Sequence, residues 1–167
     1  MSKNVNGIAV NGLGYTGIVR ISQCTGRKKV LVAEMHNEGG RPLFDFLADC
    51  LVDDFDIAKL NRPNKILLLK ENDSGELQRA GGTDFIYLLA KPEKVYSEEN
   101  ESIVRYSFII PQEYFNGTGF NAIGLYGRSA SAADVERYAA CCKVDTSEWN
   151  LSISSVLVLD WELHISN

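Results

Sequence analysis

The stretch VLVLDWELHI at residues 156–165 sets the expectation for the whole fold. Apolar residues fall at every second position, and Asp160, Glu162 and His164 fall between them. Successive side chains of a strand point to opposite faces of a sheet, so this alternation predicts a long β-strand with one buried face and one wet face. Because chain ends fray unless they are tied down, we expect this strand to be paired within a sheet.

The composition is that of an ordinary globular protein with the size of one domain. Of the 167 residues, 45% are hydrophobic and 23% are charged. The net charge of −5 argues against a nucleic-acid partner, which needs a basic surface to neutralise its phosphates. We expect no membrane partner, because no apolar run approaches the ~20 residues of a spanning helix, and we expect no secretory signal. The four cysteines are expected to be reduced, as in a protein made in a cytosol.

Short strand-like runs with turn signals between them fill most of the rest of the chain. They predict a mainly β fold, a β-sandwich of jelly-roll or Greek-key type. One amphipathic helix is predicted at residues 42–52, where Pro42 suits the first helical position and apolar residues recur at helical spacing. Residues 1–16 are predicted to form an N-terminal arm or lead-in, and residues 17–167 a single β-sandwich domain. The expected strands are residues 17–24, 28–35, 65–70, 83–90, 103–110, 120–126 and the terminal stretch, with 134–144 ambiguous between helix and strand. Residues 36–40 are expected to form a turn and residues 127–133 a flexible loop, and Gly124 is expected to mark a bulge or a close approach in its strand.

Gly12, Gly14 and Gly17 match the G-x-G-x-x-G pattern of dinucleotide-binding loops. That pattern binds a pyrophosphate only where it ends a strand and opens a helix. The residues that follow, Ile18 to Ser22, are β-branched and have no helical period, so a flexible turn is the better interpretation. We expect no cofactor.

Metal and catalytic motifs are equally weak. The aspartates of residues 45–56 fit a solvated helix face better than a cation site, because they lack the glycine and glutamate of an EF-hand loop. His36 and His164 have no zinc-ligand spacing with the cysteines. No G-x-S-x-G elbow accompanies the serines, although paired carboxylates from distant strands would leave no local motif. We therefore expect a protein that is not an enzyme and holds no metal.

Aromatic residues leave a binding function open. Trp161 lies on the apolar side of its strand and is expected in the core. Trp149 is expected to be more exposed, and Tyr126, beside Gly127 and Arg128, could lie on either side. A sugar-binding groove built by stacking is the alternative function that these rings allow.

Three segments resemble virion structural proteins of tailed bacteriophages, of the tail-fibre, baseplate and head-fibre kind. The first is HNEGG at residues 36–40 followed by PLFDFL at 42–47 and Arg62-Pro63. The second is IGLYG at residues 123–127, and the third is the alternating C-terminal stretch. In these proteins a characteristic turn usually follows the Gly-Leu-Tyr motif. Here GRSA at residues 127–130 replaces that turn, so this segment does not define the attachment partner.

The resemblance implies a β-rich module without catalysis that forms homo-oligomers and docks on other virion proteins. Its location would be the virion, after synthesis in the host cytoplasm. The expected contact elements are the arm at residues 1–15 and the loop at residues 127–133. Within and near them, Tyr15, Tyr126, Arg128 and Trp149 are the candidate contact residues. The alternative is a carbohydrate- or receptor-binding β-sandwich.

Overall fold

The computed structural model describes residues 14–39, 43, 62–96, 101–114, 119–131, 133, 135–147, 149 and 155–166. Within these residues the chain forms ten β-strands and one short 3-10 helix at Gln112–Tyr114. The strands are β1 (Gly14–Thr25), β2 (Lys28–Gly39), β3 (Pro63–Glu71), β4 (Leu77–Arg79), β5 (Ile86–Tyr87), β6 (Glu93–Tyr96), β7 (Glu101–Ile110), β8 (Ala122–Gly127), β9 (Ala140–Lys143) and β10 (Val156–Ser166).

The strands form two antiparallel sheets that share β2, which confirms a mainly β fold consistent with a sandwich. The first sheet has the order β2-β1-β10-β7-β6. The second has the order β9-β8-β3, with β4 and β5 both paired to the far side of β3. The end of β2 leaves the first sheet and pairs with β9 through Glu38 and Gly39, which joins the two sheets along one side.

The run from β5 to β6 joins the sheets along the opposite side. β5 pairs with β3 in the second sheet, whereas β6 pairs with β7 in the first. Between these strands the Leu89 amide donates a hydrogen bond to the Ser107 carbonyl of β7 at 2.9 Å. The polypeptide chain therefore connects the two sheets at both of their edges.

One apolar core lies between the sheets, and both sheets contribute to it. The terminal strand supplies Leu159, Trp161 and Leu163, all buried, as its alternation predicts. The other strands add buried apolar residues on the same side: Val19, Ile21, Ile66, Leu68, Tyr106, Phe108, Ile123, Leu125, Ala140 and Cys142. The expectation that Trp161 is a core residue is thus confirmed.

A second, smaller core covers the outer face of the second sheet. Leu67, Leu69 and Tyr126 are fully buried there. The chain between β8 and β9 folds back over them and adds the half-buried Val135 and Tyr138. Strand β3 is therefore buried on both faces, which explains why residues 65–70 have no polar alternation.

Most predicted strands are confirmed, with different bounds. The strand expected at residues 83–90 is reduced to β5, and the ambiguous segment 134–144 contains the short strand β9. A turn predicted at residues 36–40 is wrong, because β2 continues to Gly39 in order to reach β9. The helix predicted at residues 42–52 and the aspartates within it lie outside the described residues, except for Leu43, which is helical and buried.

The glycine pattern at residues 12–17 does not precede a helix. Gly14 and Gly17 lie within β1, so the expected flexible turn is replaced by strand. Gly17 faces Asn37 on β2, and a Cβ atom there would lie 1.4 Å from the Asn37 Oδ1 atom. This glycine is needed for close packing of two strands.

We predict that shortening a buried side chain of β10 destabilises the fold far more than shortening an exposed leucine side chain. Leu159→Ala removes a fully buried side chain and should lower the free energy of unfolding by about 2–5 kcal/mol. The matched control is Leu89→Ala, because Leu89 is 58% exposed and should change stability by less than about 0.5 kcal/mol. Urea denaturation followed by tryptophan fluorescence measures both. Equal losses would contradict the packing described above.

Candidate functional site

The structure does not gather the candidate contact residues into one site. Tyr126 is fully buried and Arg128 is exposed. Trp149 is half-buried, and its ring packs edge-on against Phe120 with the ring centroids 6.1 Å apart. Residues 1–13 of the expected arm lie outside the described residues. Tyr15 lies in β1, opposite Ile165 of β10.

Tyr126 fixes the chain that follows β8. Its ring lies over Gly124, where an added Cβ atom would come within 2.6 Å of the ring. Of the bulge and the close approach expected at this glycine, the structure has the close approach. The ring meets Phe85 edge-on at a centroid distance of 5.5 Å. The hydroxyl donates a hydrogen bond to the Val135 carbonyl at 2.7 Å, and burial raises the pKa of Tyr126. This buried side chain holds the chain that follows β8 in place, and its ring is not accessible for stacking against a ligand.

Lys65 holds the expected contact loop, residues 127–133. Its ammonium donates to the Arg128 carbonyl at 3.2 Å and to the Ala130 carbonyl at 2.6 Å. It also lies 4.3 Å from the centroid of the Phe85 ring, a cation–π contact. Burial lowers the pKa of Lys65. The first part of this loop, which the sequence suggests is flexible, is therefore anchored by a buried cation.

A charged ladder crosses the outer face of the first sheet. Glu162 accepts hydrogen bonds from the Arg20 Nη1 atom at 2.6 Å and from the Arg105 Nη2 atom at 2.8 Å. Arg20 also contacts Glu34 at 2.7 Å, and Arg105 lies 3.8 Å from Glu93. Charges therefore alternate from β2 through β1, β10 and β7 to β6. The face predicted to be wet is polar, but its central residue, Glu162, is only 5% exposed.

The ladder controls the ionisation of Glu162. Burial raises the pKa of this carboxyl, but hydrogen bonds from Arg105, Arg20 and His164 outweigh that effect and lower the pKa below its usual range. The contact with His164 joins its Nε2 atom to the Glu162 Oε2 atom at 3.2 Å. His164 thus belongs to the hydrogen-bond network around Glu162.

Beside the ladder, the same face carries an apolar surface. One row of this surface crosses four strands. It consists of Leu31 on β2, Ser22 on β1, Val158 on β10 and Ile109 on β7, which lie directly opposite one another. Val156 follows in the next row, opposite Cys24. We define the outer apolar patch as the four aliphatic residues of these two rows. Three of them are exposed, with exposed fractions of 54% for Leu31, 46% for Val156 and 40% for Ile109, and the fourth, Val158, is half-buried.

A cavity of about 480 Å³ lies on the outer side of the second sheet, and His36 and Cys141 are among the residues that line it. Two of its charged side chains are paired, because the Lys143 ammonium lies 2.8 Å from the Glu71 carboxylate. Cys24, Cys141 and Cys142 form no disulfide bond, and Cys50 lies outside the described residues. Among the described residues no group of three or more His, Cys, Asp or Glu side chains is placed to hold a metal ion. No helix in that part of the chain has the length and apolar character needed to cross a membrane.

No protein-family model, curated protein or solved structure matches this chain. The surfaces described above are therefore the basis for any functional argument. Sequence reasoning named Arg128 but missed the outer apolar patch, because its members lie on three strands and become neighbours only through the pairing register. It also missed Arg20 and Arg105 as partners of Glu162 for the same reason.

Replacing Glu162 should test the ladder. Glu162→Gln leaves two arginines facing each other and should cost about 1–3 kcal/mol of stability at pH 7, a range reduced because both guanidinium groups are one-third exposed. The control Glu34→Gln removes an exposed partner of the same Arg20 and should cost about 0.5 kcal/mol or less. Urea denaturation at pH 7 and pH 3 measures both.

The pH dependence follows from the lowered pKa of Glu162. Its contribution to stability is present above the unfolded-state pKa, about 4.3, and is lost as the pH falls through the lower folded-state pKa. The stability difference between the wild type and Glu162→Gln should therefore shrink at pH 3. A difference that stays constant between the two pH values would contradict an ionised Glu162 as the centre of the ladder.

Replacing Lys65 should loosen the turn after β8. Lys65→Met keeps the aliphatic stem but leaves the Arg128 and Ala130 carbonyls without their donor. Because bonds to a charged donor contribute about 1.5–3 kcal/mol, amide hydrogen exchange in this turn should accelerate by about tenfold or more. Lys70→Met, an exposed change on the same strand, is the control. Unchanged exchange in Lys65→Met would show that the loop is held by other contacts.

Proposed function

We propose that this protein is a non-enzymatic structural component of a bacteriophage virion, a head-, neck- or tail-associated fibre or adaptor protein. It acts through homo-oligomerisation and through docking on other virion proteins. The resemblance of three sequence segments to such proteins motivates the assignment. The structural observation that carries it is the outer apolar patch, because clustered aliphatic side chains on an otherwise polar sheet face are typical of association surfaces.

The first occupant we infer for the patch is a second copy of this chain. Its members lie in two neighbouring rows on three strands of one sheet face, so a two-fold axis through the patch would place aliphatic groups against aliphatic groups. Two charges beside the patch, those of Lys29 and Asp160, are already paired. The Lys29 ammonium lies 3.1 Å from Asp160, and the Ser107 hydroxyl donates to the same carboxylate at 2.6 Å. Association therefore buries no unpaired charge from this pair.

We also infer a Greek-key or jelly-roll path through the sandwich. The first described strand lies beside the last one, and β3 lies beside β8, so long connections link strands that are neighbours in space. Such connections are typical of viral jelly rolls. This finer description of the fold is part of the proposal.

The alternative, a carbohydrate- or receptor-binding module in which Tyr126 and Trp149 stack on a sugar, has less support from these two rings. Tyr126 is fully buried beneath the β8–β9 connection. Trp149 uses part of its surface to pack on Phe120 and the core. A sugar site would need other residues.

We predict that the full-length protein is an oligomer in solution and that charge in the patch dissociates it. Leu31→Lys and Val156→Lys would each bury an unpaired ammonium in the interface and should produce monomers. Leu89→Lys is the control, because Leu89 is equally exposed but lies outside the patch and should leave the oligomer intact. Size-exclusion chromatography with light scattering measures the mass of each protein.

The proposal of self-association fails if the wild type stays monomeric at about 0.1 mM, where an association free energy of about −5.5 kcal/mol would half-populate the oligomer. It also fails if Leu89→Lys dissociates the oligomer as completely as the patch variants do. Circular dichroism of each variant confirms that a change of mass does not come from unfolding.

A further inference from the structure

An open cleft of about 490 Å³ lies where the start of β3, the end of β5 and the turn after β8 meet. Its polar lining consists of Arg62, Asn64, Lys91 and Arg128, and its aromatic wall is Tyr87. The cleft does not overlap the outer apolar patch, which belongs to the other sheet. The proposed assembly function makes no use of it.

The cleft is basic in a chain that is acidic overall. Arg62, Lys91 and Arg128 are exposed, and among the described residues none of the three has a carboxylate partner. No acidic side chain of the described residues lines the cleft. In contrast, Arg20 and Arg105 on the first sheet each contact carboxylates. The cations of the cleft therefore remain available to an anionic ligand.

Backbone contacts hold these groups in place. The Arg128 amide donates to the Arg62 carbonyl at 3.2 Å, and the Leu88 amide donates to the Asn64 carbonyl at 3.0 Å. The buried Lys65 holds the Arg128 carbonyl from below. Because the turn and both strands are tied to one another, the two guanidinium groups start from fixed backbone positions, and ligand binding need not order the chain.

One further feature selects the class of ligand. The Tyr87 ring is 61% exposed although it is a large aromatic residue at the edge of a sheet. A ligand that offers an apolar face would cover this ring.

We propose that this cleft binds an acidic sugar ring, a uronic acid unit of an anionic polysaccharide. The arginine pair Arg62 and Arg128 would receive the carboxylate, since a planar guanidinium matches that group in charge and geometry. The C–H face of the ring would stack on Tyr87. An acidic peptide supplies the carboxylate but not the rigid C–H face, and inorganic phosphate supplies only charge.

Titration of the full-length protein with a trimer of galacturonic acid, followed by isothermal calorimetry and by amide chemical shifts, tests this site. The fully methyl-esterified trimer and triglutamate are the comparison probes. We expect the acidic trimer to bind, and both comparison probes to bind at least tenfold more weakly. Arg128→Gln and Tyr87→Ala should each weaken binding of the acidic trimer by about tenfold, which corresponds to about 1.4 kcal/mol. Arg27→Gln removes an exposed arginine that does not line the cleft and should leave binding unchanged.

Three results would overturn the proposal. One is the absence of any shift at cleft amides with the acidic trimer. Another is equal affinity for the esterified trimer, which would remove the role of the carboxylate. The third is equal affinity for triglutamate together with unchanged binding by Tyr87→Ala, which would reduce the cleft to a surface for anions in general. Both substituted side chains are exposed, so the variants are expected to fold.

Discussion

The antiparallel pairing of β10 with β1 on one side and β7 on the other is the constraint on which the fold depends. Eleven residue pairs join β10 to β1 and ten join it to β7. These contacts link the two ends of the described chain, and such distant pairings form late because a long loop must close first. The core cannot be completed until the C-terminal stretch is available, since Leu159, Trp161 and Leu163 all come from it.

The same strand shows how the protein keeps a charge at a nearly buried position of a sheet face. Glu162 lies at the centre of the first sheet, where an isolated carboxylate would be costly. Arg20 and Arg105 reach it from the two neighbouring strands and supply hydrogen bonds as well as opposite charge. The pairing register places both arginines within reach, so the ladder ties the correct alignment of three strands to the ionisation of one group. A one-residue slip would direct these charges toward the core.

Alternating or β-branched residues predicted the long strands, because burial on one face leaves a period of two in the sequence. That pattern found the β1–β2 hairpin, β7 and β10. It missed the continuation of β2 through His36 to Gly39, since turn-forming residues there are held in strand by β9. The cleft and the patch could not be predicted, because they combine residues from strands far apart in sequence. Tyr126 shows the same limit: its burial depends on chain that folds back from Val135.

Gly14 and Ser166 face each other across the β1–β10 pair, whereas the outer apolar patch begins at the far end of the same strands. From Ser166 to Val158 the strand spans eight residues, or about 27 Å. The start of β1 and the end of β10 therefore lie at one pole of the domain, and the aliphatic surface lies toward the other. A rigid module joined directly to Gly14 or Ser166 would start at the pole away from that surface, and the domain could then bridge two bodies that approach it from opposite directions.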